Sequence, residues 1–137
     1  MLSFNDEFGL HVIERLNQDP ILWLTTVSKD GTPQPNPVWF YWDGEKILIY
    51  SQPFASKLKN IERNPKVSVN LEGAAIDGGD VVILIGNAII DRTAPLPSTG
   101  YREKYDDFVK KSGITWDQLH ANYSVSITIT PTRYRGL

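Results

Sequence analysis

The chain has 137 residues, a length typical of one domain with a core of its own. With 14 Lys plus Arg against 16 Asp plus Glu and a formal net charge of -2, it lacks the electropositive balance that general nucleic-acid binding needs. The chain has no cysteine, which excludes disulfides, thiolate metal sites and a cysteine nucleophile. Its two histidines, His11 and His120, lie far apart in the sequence, and we expect no metal site.

Neither a secretion signal nor a membrane segment is predicted. The N-terminal stretch MLSFNDEFGL lacks the basic start and continuous apolar run of a signal peptide. The longest apolar run, VVILI at residues 81–85, is far short of the roughly 20 residues that a membrane-spanning helix requires. We therefore expect a cytoplasmic protein with no membrane partner.

The N-terminal part of the chain predicts a helix and then three strands. Ser3 can cap a helix whose first turn holds Asp6 and Glu7, and this helix ends at the breaker NQDP. The run ILWLTTV predicts a strand, and the turn SKDG, with Gly31 where a positive φ is tolerated, leads into a return strand, TPQPNPVWFYW. A second tight turn, DG, precedes the third strand, KILIYS.

Prolines occupy every second position at the start of the return strand, at Pro33, Pro35 and Pro37. Because proline has no N–H group, the three missing donors lie on one side, which predicts an unpaired sheet edge or a ligand-facing surface. The rest of the strand has two faces, of which one should meet the core and the other a cleft or a subunit contact. The two faces are Val38, Phe40 and Trp42 on one side and Trp39 and Tyr41 on the other.

The segment YSQPFASKLKNIERNP places a short basic helix, over about residues 54–63, directly after the third strand. Lys57 lies in its first turn, where free backbone N–H groups and the helix dipole favour an anion. Ser51 and Ser56 can add hydroxyl groups. Two interpretations are open: the basic residues form a solvated face, or Lys57 binds a phosphate.

The C-terminal half predicts three more strands and two helices. KVSVNLE alternates as a strand, GAAIDGGD is a loop, and DVVILIGNAIID is the most apolar strand, which predicts burial on both faces and a second subunit covering one of them. A helix is marked by Tyr101, Tyr105 and Phe108, and a capping-box pattern at Thr115 and Gln118 predicts another. SVSITIT is the last strand, and the tail PTRYRGL carries two arginines that either reach an anion or flank the C-terminus, Arg133 and Arg135.

Together these elements predict a mostly β, α+β fold: a six-stranded antiparallel barrel with peripheral helices, in a single domain over residues 1–137. Closure into a barrel is the economical way to remove the edges of a twisted sheet. The nucleophile and metal motifs G-x-S-x-G and H-E-x-x-H and the Walker pattern do not occur. No catalytic residue is therefore assigned.

The order of these segments resembles the flavin-binding split-barrel superfamily related to pyridoxamine 5′-phosphate oxidase. The resemblance is carried by LTTVSKDGTPQPNPVWFYWDGEKILIYSQPFASKLKNIERNPKVSVNLE and DVVILIGNAIIDR. Within the superfamily, GTPQPNPVWF, YSQPFASKLKNIERNP and TPTRYRG look like the group of deazaflavin (coenzyme F-420)-dependent enzymes. The resemblance implies a six-stranded split barrel that forms a homodimer, with two equivalent sites for FMN or coenzyme F-420 at the interface.

The resemblance also implies which residues of this chain contact the cofactor. They are Asn36, Pro37, Val38 and Trp39 along the ring, Ser51 and Gln52 at the ring edge or ribityl chain, and Lys57 at the phosphate, with Ser56 and Asn60 as weaker candidates there. The family oxidase has an arginine where this chain has Ser56, which argues against pyridoxamine phosphate oxidase activity.

The expected function is that of an oxidoreductase that transfers hydride between FMN or coenzyme F-420 and a small organic acceptor. Because no acid-base residue is evident, a second hypothesis is a non-catalytic protein that stores, carries or senses such a cofactor. A barrel that binds no ligand is the third interpretation.

Overall fold

The computed structural model describes residues 2–73 and 75–136, so that Ala74 of the predicted loop GAAIDGGD, Met1 and Leu137 lie outside the described ranges. Over the described residues the chain forms seven strands and four helices. Their bounds are α1 Glu7–Gln18, β1 Leu22–Val27, β2 Pro33–Val38, β3 Tyr41–Trp42, β4 Ile47–Ser51, α2 Ser56–Arg63, β5 Lys66–Leu71, β6 Val82–Asp91, α3 Thr99–Lys111, α4 Trp116–Asn122 and β7 Val125–Gly136. None of these helices is long and apolar enough to cross a membrane.

All the strands pair in one antiparallel sheet, in the order β2-β1-β5-β6-β7-β4-β3. Strands β2 and β3 lie at opposite ends of this order, yet only Trp39 and Phe40 separate them along the chain. Because three residue steps reach at most about 11 Å, the two ends of the sheet must lie close together. The sheet therefore curls on itself and is split where β2 gives way to β3.

The predicted mostly antiparallel β fold with peripheral helices is confirmed, but the predicted count of six strands is wrong. The return strand TPQPNPVWFYW is not continuous, because the chain leaves the ladder at Trp39 and Phe40 and divides into β2 and β3. The predicted edge character of its proline-rich half is confirmed, since β2 ends the sheet and pairs with β1 alone among the described strands. Prolines alternate along β2 with the residues whose N–H groups can bond to β1, so the proline nitrogens face outward.

Helix α1 begins later than predicted. Asp6, not Ser3, is the N-cap, and its carboxylate accepts a hydrogen bond from the N–H of Gly9 at 2.6 Å. The helix then buries Val12 and Leu16 in the core. The expected cap at Ser3 is wrong because the helix begins at Glu7, which leaves its free N–H groups within reach of Asp6 and not of Ser3.

Within one copy of the chain, strand β6 is buried on one face. Val82 and Leu84 face the core, while Ile83 and Ile85 are half-buried and Ile89 is 69% exposed. Coverage of that outer face by a second copy stays a prediction. The segment PTRYRGL was predicted to be a tail after the last strand. It instead extends β7 to Gly136 and pairs with the start of β6 past a bulge.

The break between β2 and β3 is held by two side chains from α3. The N–H of Phe40, which is fully buried, donates to the hydroxyl of Tyr105 at 2.9 Å, and that hydroxyl lies 2.7 Å from the carbonyl oxygen of Pro20. Lys104 donates to the carbonyl oxygen of Phe40 at 2.8 Å, with its ammonium 3.6 Å from the centre of the Phe40 ring. These contacts replace the ladder hydrogen bonds that the peptide gives up at the break.

Replacing the tyrosine that holds this break should destabilise the fold. Tyr105→Phe leaves the buried N–H of Phe40 without its acceptor, and we expect a loss of about 1–3 kcal/mol in the free energy of unfolding. Urea unfolding followed by circular dichroism measures this loss. Tyr123→Phe, at a ring that is 40% exposed, is the matched control, and equal stability losses in the two variants would contradict this role for Tyr105.

Lys104 should make stability depend on pH. Burial lowers its pKa to about 8, although attraction by Asp19 opposes the effect. The folded state then binds fewer protons than the unfolded state between pH 8 and the ordinary lysine pKa of about 10.4, so stability should rise with pH in that window. Urea midpoints at pH 7.5 and at about pH 9.5 should therefore diverge between the natural protein and Lys104→Met. Parallel changes in the two proteins would show that Lys104 is not the cause.

Candidate functional site

A cavity of about 520 Å³ opens beside the break in the sheet. Its walls come from the end of β2, the turn between β4 and α2, and the two C-terminal helices, α3 and α4. The volume lies within the range of small-molecule sites. No aspartate or glutamate is among its described lining residues, and aromatic and aliphatic side chains dominate. The cavity thus suits a largely apolar ligand that carries negative charge.

One end of the cavity is polar. Ser51 is buried at the end of β4, where its hydroxyl donates to the carbonyl oxygen of Gln52 at 2.9 Å, and both residues line the cavity. Helix α2 follows after Ala55, and no side chain of the described residues caps it. Its first N–H groups therefore lack a side-chain acceptor at the side of the cavity.

Lys57, in the first turn of α2, is half-buried and lines the same end. Burial lowers the pKa of Lys57, and no carboxylate of the described residues forms an ion pair with it. A half-buried ammonium without a counter-ion is costly. An anion bound at the start of α2 would offset that cost through both the charge and the free N–H groups.

The neighbouring wall is flat and aromatic. The ring of Trp39 stacks on Tyr105 with centroids 4.3 Å apart and an angle of 5° between the planes, and it meets Phe108 edge-on at 5.5 Å. Phe40 and Trp42, by contrast, are buried in the core. Trp39, which was predicted on the other face of NPVWFYW, lines the cavity instead, because the break turns this residue out of the sheet.

The structure brings six of the nine predicted cofactor residues together around the cavity. These six are Pro37, Val38, Trp39, Ser51, Gln52 and Lys57. The other three, Asn36, Ser56 and Asn60, do not line it. Asn36 and Ser56 are exposed on β2 and at the start of α2. Arg133 and Arg135 are exposed on β7, opposite Ile85 and Ile83, and do not line the cavity either.

Asn60 instead anchors helix α2. Its side chain is buried, and its amide donates to the hydroxyl of Thr26 at 3.0 Å and to the side-chain oxygen of Gln34 at 2.8 Å. Its oxygen accepts from Arg63 at 3.1 Å. These contacts tie the helix that carries Lys57 to β1 and β2.

The wall formed by α3 and α4 was not predicted from the sequence. The predicted capping box at Thr115 and Gln118 is confirmed, with the two hydrogen bonds at 3.1 and 2.8 Å. The residues of α4 that line the cavity are Trp116, Leu119, His120 and the following Tyr123. Their spacing, W-x-x-L-H-x-x-Y, is the signal that could have identified this wall.

Burial also affects the tyrosines behind the aromatic wall. It raises the pKa of Tyr101 and, with partial opposition from a hydrogen bond to Phe40, that of Tyr105. Both hydroxyl groups are therefore neutral around pH 7. Tyr101 also packs edge-on against Tyr50, with centroids 4.8 Å apart, which joins α3 to β4 beside the polar end.

Comparison with known proteins agrees with this architecture. The sequence model described as pyridoxamine 5′-phosphate oxidase matches residues 11–135. The chain belongs to this family.

Several solved structures share the fold of this family member. A protein described as an F-420 reductase is 26% identical with a TM-score of 0.65, and the match covers 89% of this chain and 94% of that one. A FAD-binding protein from Mesorhizobium loti is 21% identical with a TM-score of 0.61, covering 97% and 90%. HutZ, the heme storage protein from Vibrio cholerae, is 17% identical with a TM-score of 0.64, covering 93% and 92%.

Proposed function

We propose that this family member binds FMN or coenzyme F-420 in the cavity and acts as an oxidoreductase on a small organic acceptor. The observation that carries the proposal is Lys57, a half-buried cation without an ionic partner among the described residues, at the uncapped start of α2. A phosphate is the group that best satisfies both features. Membership of the family and the likeness to an F-420 reductase support a flavin-type cofactor.

The cavity fits such a cofactor in volume and in the order of its walls. The phosphate would lie against Lys57, and the ribityl chain or ring edge against Ser51 and Gln52. The tricyclic ring would lie along Pro37, Val38 and Trp39, where the wall is apolar and flat. Of the predicted residues that do not line the cavity, Asn36 and Ser56 are given no contact in this proposal, and Asn60 contributes by fixing α2.

In this proposal the cofactor supplies hydride transfer, and the protein supplies placement and exclusion of water. Among the described lining residues Lys57 is the only lysine or arginine. Once a cofactor phosphate is bound there, a phosphorylated substrate would lack a cation of its own. We therefore do not propose pyridoxamine phosphate oxidation for this chain.

We also propose that residues 1–137 form one cofactor-binding domain that works as a cytoplasmic homodimer. The outer face of β6, with Ile83, Ile85 and the exposed Ile89, is the apolar surface that supports a contact between copies. Sedimentation of the purified protein as a monomer at micromolar concentration would exclude the homodimer.

Removing the charge of Lys57 should weaken binding of the phosphate and nothing else. Because a charge-assisted hydrogen bond contributes about 1.5–3 kcal/mol, Lys57→Met should raise the Kd for FMN roughly ten- to hundredfold. Riboflavin, which has no phosphate, should bind the variant as it binds the natural protein. Titrations with FMN, riboflavin, coenzyme F-420 and hemin, followed by absorbance and calorimetry, measure these affinities and identify the preferred cofactor.

Lys59→Met is the matched control, because Lys59 is exposed on the same helix and does not line the cavity. Equal losses in the two variants would mean that general charge attraction, and not a phosphate site at Lys57, accounts for binding. Tight binding of hemin alone would reject the flavin proposal.

A turnover assay separates the enzyme from the carrier or sensor hypothesis. The reduced cofactor is mixed anaerobically with the protein and an enone acceptor, and its oxidation is followed by absorbance. Oxidation faster than in the protein-free mixture supports the oxidoreductase. Tight cofactor binding without acceleration across a panel of acceptors would favour the carrier or sensor.

A further inference from the structure

Helix α4 directs its apolar face to the cavity and not to the core. None of its residues is buried, yet one stripe at helical spacing lines the cavity: Trp116, Leu119, His120 and Tyr123. Phe108 of α3, which is 62% exposed, lines the same side. Apolar side chains held around a cavity by a capped helix form the kind of wall that a ligand covers.

His120 is the polar group of this wall. Its Nδ1 atom is buried and has no hydrogen-bond partner among the described residues. A buried N–H group without an acceptor is rarer and more costly than an unpaired acceptor atom. The ring therefore favours the tautomer with its proton on Nε2, and this nitrogen can donate a hydrogen bond to a ligand.

The charges of the cavity limit what that ligand can be. The described lining has no carboxylate to pair with a cationic ligand. Its single lysine, Lys57, lies at the polar end and is assigned above to the cofactor phosphate. An anionic second ligand would compete for that lysine, and a cationic one would be left unpaired. A ligand beside α4 is therefore uncharged.

We propose that the α3–α4 side of the cavity binds the second substrate, an uncharged planar compound whose carbonyl oxygen accepts a hydrogen bond from Nε2 of His120. The flat rings of Trp116, Tyr123 and Phe108 contact the body of the compound. That this ligand is uncharged and is the acceptor of the reaction rests on the proposed function, which assigns Lys57 to the cofactor phosphate. The presence of the site does not, because it follows from the α4 wall and His120 alone.

The test uses coumarin, which is planar and uncharged and has a carbonyl oxygen, and naphthalene, which has a similar shape and no hydrogen-bond acceptor. Both are titrated into the full chain with and without saturating FMN. The indole N–H signal of Trp116, in a ¹⁵N-labelled sample, reports binding beside His120. The variants are His120→Leu, which removes the donor, and His120→Gln, which retains an N–H donor.

We expect His120→Leu to weaken coumarin binding about tenfold, which corresponds to about 1.4 kcal/mol, and to leave naphthalene binding within about twofold. His120→Gln should recover most of the lost affinity. Unchanged naphthalene binding also shows that the wall of the variant is intact.

The proposal is overturned if coumarin does not bind, if its affinity is the same in all three proteins, or if His120→Leu weakens both compounds equally. The outcome is independent of the cofactor assignment. If neither FMN nor coenzyme F-420 binds while coumarin binding depends on His120, the proposed function fails and the uncharged-ligand site stands. If the cofactor binds through Lys57 and the affinity for coumarin does not depend on His120, the proposed function stands and only this inference fails.

Discussion

The peptide of Phe40 is the constraint on which the rest of this structure depends. It lies outside the sheet ladder, and its N–H and carbonyl groups are satisfied by Tyr105 and Lys104 of α3. Because the chain can leave the ladder there, β2 and β3 lie at opposite ends of one sheet, and the sheet curls. The same break turns Trp39 toward the cavity and brings α3 against its ring. One local exchange of hydrogen-bond partners therefore shapes both the curled sheet and the cavity.

The cavity that results has two chemically different ends, built by different parts of the chain. The polar end combines the exit of β4 with the start of α2, which Asn60 holds against β1 and β2. The aromatic end comes from Trp39 and from helices α3 and α4, of which α4 buries none of its residues. Division of this kind separates the half-buried lysine from the flat apolar surface of the cavity. It also places the single lysine of the described lining at one end of the cavity.

The sequence predicted local features well and long-range ones less well. Alternating prolines predicted an edge strand, and the spacing of Thr115 and Gln118 predicted a capping box, because each depends on a few neighbouring residues. The break at Phe40 was missed, since its partners on α3 lie 64 and 65 residues away along the chain. Asn60 could be read only as a ligand candidate, because its contacts with Thr26 and Gln34 exist only after folding. The cavity-facing stripe of α4 resembles an ordinary core stripe in sequence, and only the fold shows what it faces.

The prolines of β2 have one further consequence, for assembly. The outer edge of this strand presents carbonyl oxygens and no amide hydrogens at Pro33, Pro35 and Pro37. A strand from a neighbouring molecule could form half of a ladder there at most, so fibril-like growth from this edge is disfavoured. At this edge, a contact between copies would have to rely on side chains instead of a continued ladder, which protects one end of a β-rich sheet from adding further strands.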